Sequence, residues 1–435
     1  MADPSALLRV EVIEALRRGT VPRRGLDQVA VGTDRFAAVL DEELARVAAG
    51  GAVFKALRGE FGCGKSFTAR WFQQQAMAAG FAVAEVQISE NDTPLHKLET
   101  IYRRAMEGLR TQEWEVGAFR NLLSGWLVSL EDEVIATGVS EDDTAALSRG
   151  VGELLEARLR DISATQPQFA AALRACHAAQ VREDLATSDG LMAWLMGQPN
   201  VGASVKRGAG LKGDVDHTGA LAFLRGLLTV LRQTGRPGLM LVLDEVETIQ
   251  RVRADSRERS LNALRQLIDD LYGGRFPGLY ILITGTPAFF DGAQGVRRLP
   301  PLAQRLHVDW GKDTRFDNPR DVQLRLQPFD HGRLLEVGRK VRALYPATHP
   351  ERVAAKVTDE VLDGLARGVA GELGGRVGVA PRIYLRKLVA SLLDKVDLFE
   401  DFDPIRDFKL VVDSAELTVE ERDALTSPDD IELNL

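Results

Sequence analysis

The sequence predicts an α/β fold: a parallel sheet with helices on both faces, a helical insertion and a helical C-terminal lid. Three observations carry this. The stretch Gly59-Glu60-Phe61-Gly62-Cys63-Gly64-Lys65-Ser66 follows a short apolar run, residues 52–59, and precedes a helical run, residues 67–80, that glycine ends. The stretch GLMLVLDEVETIQ, residues 238–250, is a continuous apolar run that ends in Asp244-Glu245, as in a buried parallel strand that delivers carboxylates at its C-terminal edge. From 331 to 398 the pattern is helical.

Residues 5–18 read as an amphipathic helix. The segment 20–36, TVPRRGLDQVAVGTDRF, is punctuated by proline and glycine. It lies where P-loop ATPases often rest the adenine. A helix over 34–49 leads into the first strand. The loop that follows has the form G-x-x-x-x-G-K-[ST]. Its glycines let backbone N–H groups turn inward around phosphates, and the next helix adds its N-terminal dipole. Gly59, Glu60, Phe61, Gly62, Cys63, Gly64, Lys65, Ser66 and Phe67 are therefore the expected nucleotide-binding residues. Lys65 is expected to neutralise the β- and γ-phosphate oxygens, and Ser66 to hold Mg²⁺.

Residues 81–89 read as a second strand, with a helix from about 95 to 110. The text from 111 to about 215 is helical and alanine-rich and holds Trp114, Trp126 and Trp194, three of the five tryptophans. It reads as an insertion in the core, for scaffolding or partner recognition. Its last part, 197–219, is glycine-rich and basic through Lys206, Arg207 and Lys212. A mobile basic loop suits nucleic-acid contact, though such segments are more often solvated connections.

In the Asp244-Glu245 pair, Asp244 is expected to bind Mg²⁺ and Glu245 to orient or deprotonate an attacking water. A charged amphipathic helix over 256–272 precedes another buried strand, 278–287. That strand ends in Thr284 and Thr286, either of which suits a γ-phosphate sensor. Arg305 closes the turn RRLPPLAQRL, where ring-forming ATPases offer an arginine to a neighbour's nucleotide. A last strand is expected over 324–329. Helix 331–345 carries Leu334, Val337, Val341, Leu344 and Tyr345 on one face. Arg382, in the first turn of the helix opened by Pro381, is the candidate lid arginine.

The divisions expected are 1–50, a helical segment and adenine-side loop; 51–110 and 216–330, the ATPase core; 111–215, the insertion; 331–398, the lid; and 399–435, an acidic tail. Together these suit the AAA+ plan, a parallel αβα core plus a helical lid. The adjacent Asp-Glu pair disfavours a small-molecule kinase.

At 45% hydrophobic and 27% charged, the composition is that of a globular protein with a sizeable core. Two cysteines and scattered histidines exclude a disulfide framework and a His/Cys metal site. An intracellular location and no membrane span are expected. The net charge of −8 is misleading as a guide to partners. Residues 400–435 hold twelve acids and three bases, so the body is near neutral and nucleic-acid contact stays open.

With these motifs in place, VPRRGLDQVAVG, GEFGCGKSF, LVLDEVETIQR, LITGTPAFF with LPPLAQRL, and GVAPRIYLRKLV resemble the BrxD family of BREX phage-defence ATP-binding proteins. The core is also similar to origin-recognition and loader-type AAA+ proteins. The resemblance fades in the acidic tail. It implies a bacterial cytoplasmic ATPase that uses ATP and Mg²⁺. Its expected partners are a defence-system helicase or other defence subunits, double-stranded DNA, and further copies of itself in a nucleotide-dependent oligomer. The competing expectation is a signalling NTPase switch that exposes a protein-binding surface without acting on DNA.

Overall fold

A computed structural model describes residues 4–372 and 380–410. The chain opens with helix α1 (Ala6–Arg17), capped by the Ser5 hydroxyl, and α2 (Asp34–Ala48). Strand β1 (Ala52–Arg58), helix α3 (Lys65–Ala78), β2 (Ala82–Gln87) and α4 (Leu98–Glu107) follow. The insertion comprises α5 (Ala118–Ala136), α6 (Thr144–Thr165), α7 (Pro167–Val181), α8 (Leu185–Leu195) and α9 (Ala203–Gly208). The core resumes with α10 (His217–Gln233), β3 (Leu239–Asp244), α11 (Ala254–Tyr272) and β4 (Leu279–Gly285). It ends with α12 (Pro287–Asp291), α13 (Pro300–Arg305) and the short β5 (Gln323–Arg325). The lid holds α14 (His331–Leu344), α15 (Pro350–Lys356), α16 (Asp359–Glu372), α17 (Ala380–Lys387) and α18 (Asp394–Leu398). A π-helical turn, Leu388–Leu393, joins the last two.

The five strands form one parallel sheet in the order β2-β3-β4-β1-β5. Every residue of β3 and β4 is buried, as expected of central parallel strands covered on both faces. Alternation sends successive side chains to opposite layers. Val53, Leu57, Met240, Val242, Tyr280 and Leu282 pack with α2 and α3 on one face. Phe54, Ala56, Leu241, Leu243, Ile281 and Ile283 pack with α4, α10 and α11 on the other.

The insertion is continuous with this second layer. Phe223 of α10 meets Trp194 at 5.1 Å and Phe169 at 5.2 Å between ring centroids, both edge to face. A side chain at Gly226 would meet Phe169 Cδ1 at 2.6 Å, so the missing side chain lets the two helices close. The glycine-rich stretch read as a mobile loop is ordered by such contacts. It contains α9, Val205 lies against Gly190, and the Trp194 indole donates to the Gly213 carbonyl at 3.1 Å. Local glycine content signalled freedom, but packing on α8 overrode it.

The first helix does not stand apart as the division at residue 50 implied. Val12, Ile13 and Leu16 of α1 share an apolar core with Leu334, Val337, Tyr384 and Leu388 of the lid. Arg17 grips Asp394 with two hydrogen bonds of 2.7 and 2.8 Å, and the Tyr345 hydroxyl donates to the same carboxylate at 2.9 Å. The chain then crosses back to the core. There Asp27 accepts from the Trp71 indole at 2.7 Å and from Gln75 at 2.9 Å, both on α3. Residues 19–32 thus strap the lid to the helix that leaves the phosphate loop. Of the expected acidic tail, residues 411–435 lie outside the described residues.

Candidate nucleotide-binding site

Between β1 and α3 the chain makes the tight loop that its glycines require. Gly62 and Gly64 have φ of +75° and +92°, values that a side chain disfavours. Gly59 has a different reason to be small: a Cβ there would sit 2.3 Å from Cys63 Sγ. The Cys63 thiol is buried beneath the loop, and burial pushes its pKa up to about 11 even with Lys65 nearby. It is a packing group and not a nucleophile.

Lys65 opens α3 and is itself buried. Its Nζ donates to the carbonyls of Gly59 at 3.0 Å and Glu60 at 3.3 Å, lies 4.9 Å from the centroid of the Phe61 ring, and faces the Glu247 carboxylate at 3.7 Å. Ser66 sits one residue on, and its hydroxyl donates to Asp244 Oδ2 at 2.9 Å. The strand order explains how these meet. β4 lies between β1 and β3, so its C-terminal end stands between the phosphate loop and the acidic pair.

Thr284, in the last turn of β4, donates to the other Asp244 oxygen and accepts the Glu245 N–H at 2.9 Å. The two threonines offered by the sequence make different contacts in space. Thr284 touches both acids, whereas Thr286 N-caps α12 through the Phe289 N–H. Glu245 adopts φ +60°, ψ +45°. Such a conformation costs a non-glycine residue on the order of 1 kcal/mol or more. It turns the chain sharply off β3, and Gln87 at the end of β2 donates to Glu245 Oε2 at 2.9 Å.

The cavity above these groups has a volume of about 300 Å³, the lower end of the range for ligand pockets. The loop residues Phe61 to Phe67 form one wall. Thr20, Val21, Pro22, Val29 and Val31 of the strap form a second, mostly apolar wall, where the adenine was expected. The lid supplies Val337, Pro381, Arg382 and Leu385. Arg382 thus lines the same cavity as Lys65.

The other expected residues lie elsewhere. Arg305 does not line the cavity; its guanidinium forks onto Asp269 of α11 and donates to the Pro301 carbonyl at 2.6 Å. Lys206 is paired with Asp214 at 3.0 Å, Arg207 donates to the Ala203 carbonyl at 3.3 Å, and Lys212 borders a separate hollow beside Trp194.

Glu247 and Arg333 are among the cavity residues missed in the sequence. Glu247 had a signal, because DEVE carries a third acid two positions beyond Glu245. Both its oxygens are buried with no hydrogen-bond partner among the described residues, and burial raises its pKa to about 7. Arg333, in the first turn of α14, had none, since one arginine near a helix start is unremarkable. It lies beside Gly32 and lines the cavity.

The donor set suits a hard cation. A hydroxyl and a carboxylate oxygen 2.9 Å apart, backed by Thr284, are the oxygen ligands that Mg²⁺ takes alongside phosphate oxygens. The profile of the family described as BREX system ATP-binding protein BrxC/D matches residues 5–411. It does not separate BrxD from BrxC. No match to a curated protein sequence was found.

Proposed function

The chain belongs to the BREX system ATP-binding protein BrxC/D family, and from that premise we propose that it hydrolyses Mg²⁺-ATP in this cavity. One observation carries the proposal. Ser66, Asp244 and Thr284 form an unbroken hydrogen-bonded chain, with Glu245 adjoining it through its own N–H. Binding alone needs the phosphate loop and a metal-holding acid. It does not need a second carboxylate held in a strained conformation beside them.

In this reading the glycine loop and Lys65 hold the polyphosphate. Ser66 and Asp244 would hold Mg²⁺, which supplies charge neutralisation between the terminal phosphates. Glu245 orients the attacking water and draws off its proton. Gln87 holds the Glu245 carboxylate through one of its oxygens. Thr284 keeps Asp244 aligned and marks the γ-phosphate position. Arg382 reaches over the nucleotide from the lid, so lid position and phosphate state become linked. In its finer form, which rests on the motif resemblance to BrxD, the proposal couples ATP turnover to assembly on double-stranded DNA or with a helicase partner, in a cytoplasmic complex of defence subunits.

A second reading has one observation in its favour. Lys206 is neutralised by Asp214, which weakens the case for a DNA contact at α9. That favours a switch that displays the helical insertion to a protein partner. ATP hydrolysis measured with and without DNA on purified protein separates the two. DNA stimulation supports the machine; stimulation by a defence subunit alone supports the switch. No turnover under either condition, with ATP still bound, would reduce the protein to an ATP-binding subunit.

A further inference from the structure

We infer that Glu247 is a positioning residue for Lys65, competing with the nucleotide's β- and γ-phosphates for the lysine and so setting how fast nucleotide leaves. The inference deepens the reading of the cavity as a nucleotide site and rests on it.

Two buried lysine–glutamate pairs occur among the described residues, and the contrast between them is informative. Lys55 of β1 meets Glu43 at 2.9 Å, and Tyr280 donates to Glu43 Oε2 at 2.8 Å. Lys55 also donates to the Pro319 carbonyl at 3.0 Å. Every group in that cluster is used, as a structural pair in a core must be. Glu247 is built differently. Lys65 lies 3.7 Å from it, too far for a hydrogen bond, and among the described residues neither carboxylate oxygen has a donor. A carboxylate that served only the fold would be an expensive choice there, because an unpaired buried charge destabilises. Yet it lines the nucleotide cavity rather than the apolar core.

The position explains the choice. Glu247 follows the sharp turn at Glu245, so Asp244 and Glu245 act on it as like charges and Lys65 as its cation. A polyphosphate that draws Lys65 toward itself leaves Glu247 among like charges. The bound state is raised in free energy by that loss. Glu247 is then an alternative partner always within reach of the lysine, and departure of the polyphosphate is assisted by the pair that replaces it. Its raised pKa agrees with a carboxylate short of partners.

The test is nucleotide release from the full chain, by displacement of a fluorescent ADP at about pH 8, above the pKa of about 7 that Glu247 has in the nucleotide-free chain. Glu247→Gln keeps the shape and removes the charge. It is expected to slow ADP release and lower its Kd by about tenfold, a modest effect for one partly screened charge. AMP lacks the β-phosphate that Lys65 would hold, so its affinity should stay the same; a merely structural role would shift both nucleotides together. Glu247→Asp keeps the charge but retracts it, with a smaller change in the same direction expected. This second variant keeps the test open if the first fails to fold, as judged by thermal melting. Unchanged or faster ADP release in a folded variant overturns the inference alone. A native chain that binds no ADP overturns the nucleotide reading and this inference with it.

Discussion

Lys65→Ala removes the cation that faces the phosphates and should weaken ATP binding by at least about a hundredfold. An unchanged affinity in a titration would sink the assignment of the loop. Glu245→Gln should leave ATP affinity nearly intact while slowing hydrolysis by roughly 10²–10⁴, checked by single-turnover measurement. If binding is lost as well, Glu245 holds metal or fold instead. Glu247 carries a prediction in pH. Its folded pKa is raised from 4.5 to about 7, so the folded chain keeps a proton that the unfolded chain has lost. Stability from this group therefore falls as pH rises from about 4.5 to 7 and is level above. Denaturant titrations of the native chain and Glu247→Gln should diverge across that window. The residues that a linear motif names were legible: the glycine loop, Lys65, Ser66 and Asp244-Glu245 meet in space as their spacing implies. Glu247 was legible only as a third acid, because its role rests on a hydrogen-bond donor missing among the described residues, and sequence records only which groups are present. Thr284 and Thr286 are two residues apart, and only strand pairing tells which one reaches Asp244.

Among the elements, the strands of the sheet could be read because β3 and β4 are apolar throughout, a pattern that parallel burial on both faces produces. The short β5 was placed less well, since three paired residues leave little pattern. Dependence on remote partners was hidden too. Nothing in residues 6–17 says that their apolar face meets residues 334–388, and nothing in a glycine-rich stretch says that Val205 has a seat against α8. The fit of α14 to α17 offers a test at this scale. A Cβ on Gly338 would lie 2.1 Å from the Tyr384 hydroxyl oxygen, whose residue is buried. Gly338→Ala must therefore push α17 outward, costing about 1–3 kcal/mol. Arg382 rides on α17, so ATP affinity should fall together with the melting temperature. If melting drops while ATP affinity holds, the lid arginine does not act on the nucleotide.

Seen whole, the molecule keeps Arg305 away from its own cavity, on α13 and bonded to Asp269. If a neighbouring copy's nucleotide is its target, Arg305→Ala should bind ATP normally and hydrolyse it slower by on the order of 10³. Mixing that variant with Lys65→Ala should then restore some turnover, one copy supplying the arginine and the other the intact pocket. A mixture that gains nothing returns Arg305 to the role of a brace between α13 and α11. The joining of α1 to the lid has a consequence of another kind, for the order in which the chain acquires function during synthesis. Arg17 and Asp394 are 377 residues apart in sequence, and such distant closures are slow to form. Emerging from a ribosome, the phosphate loop and sheet are complete long before the wall that Pro381, Arg382 and Leu385 provide. Until then α1 has an apolar face with no lid to cover it, and the strap cannot be drawn tight from both ends. Nascent chains halted after residue 330 should accordingly hold the αβα core yet retain ATP poorly, and a protease should remove α1 from them while sparing it in the finished protein.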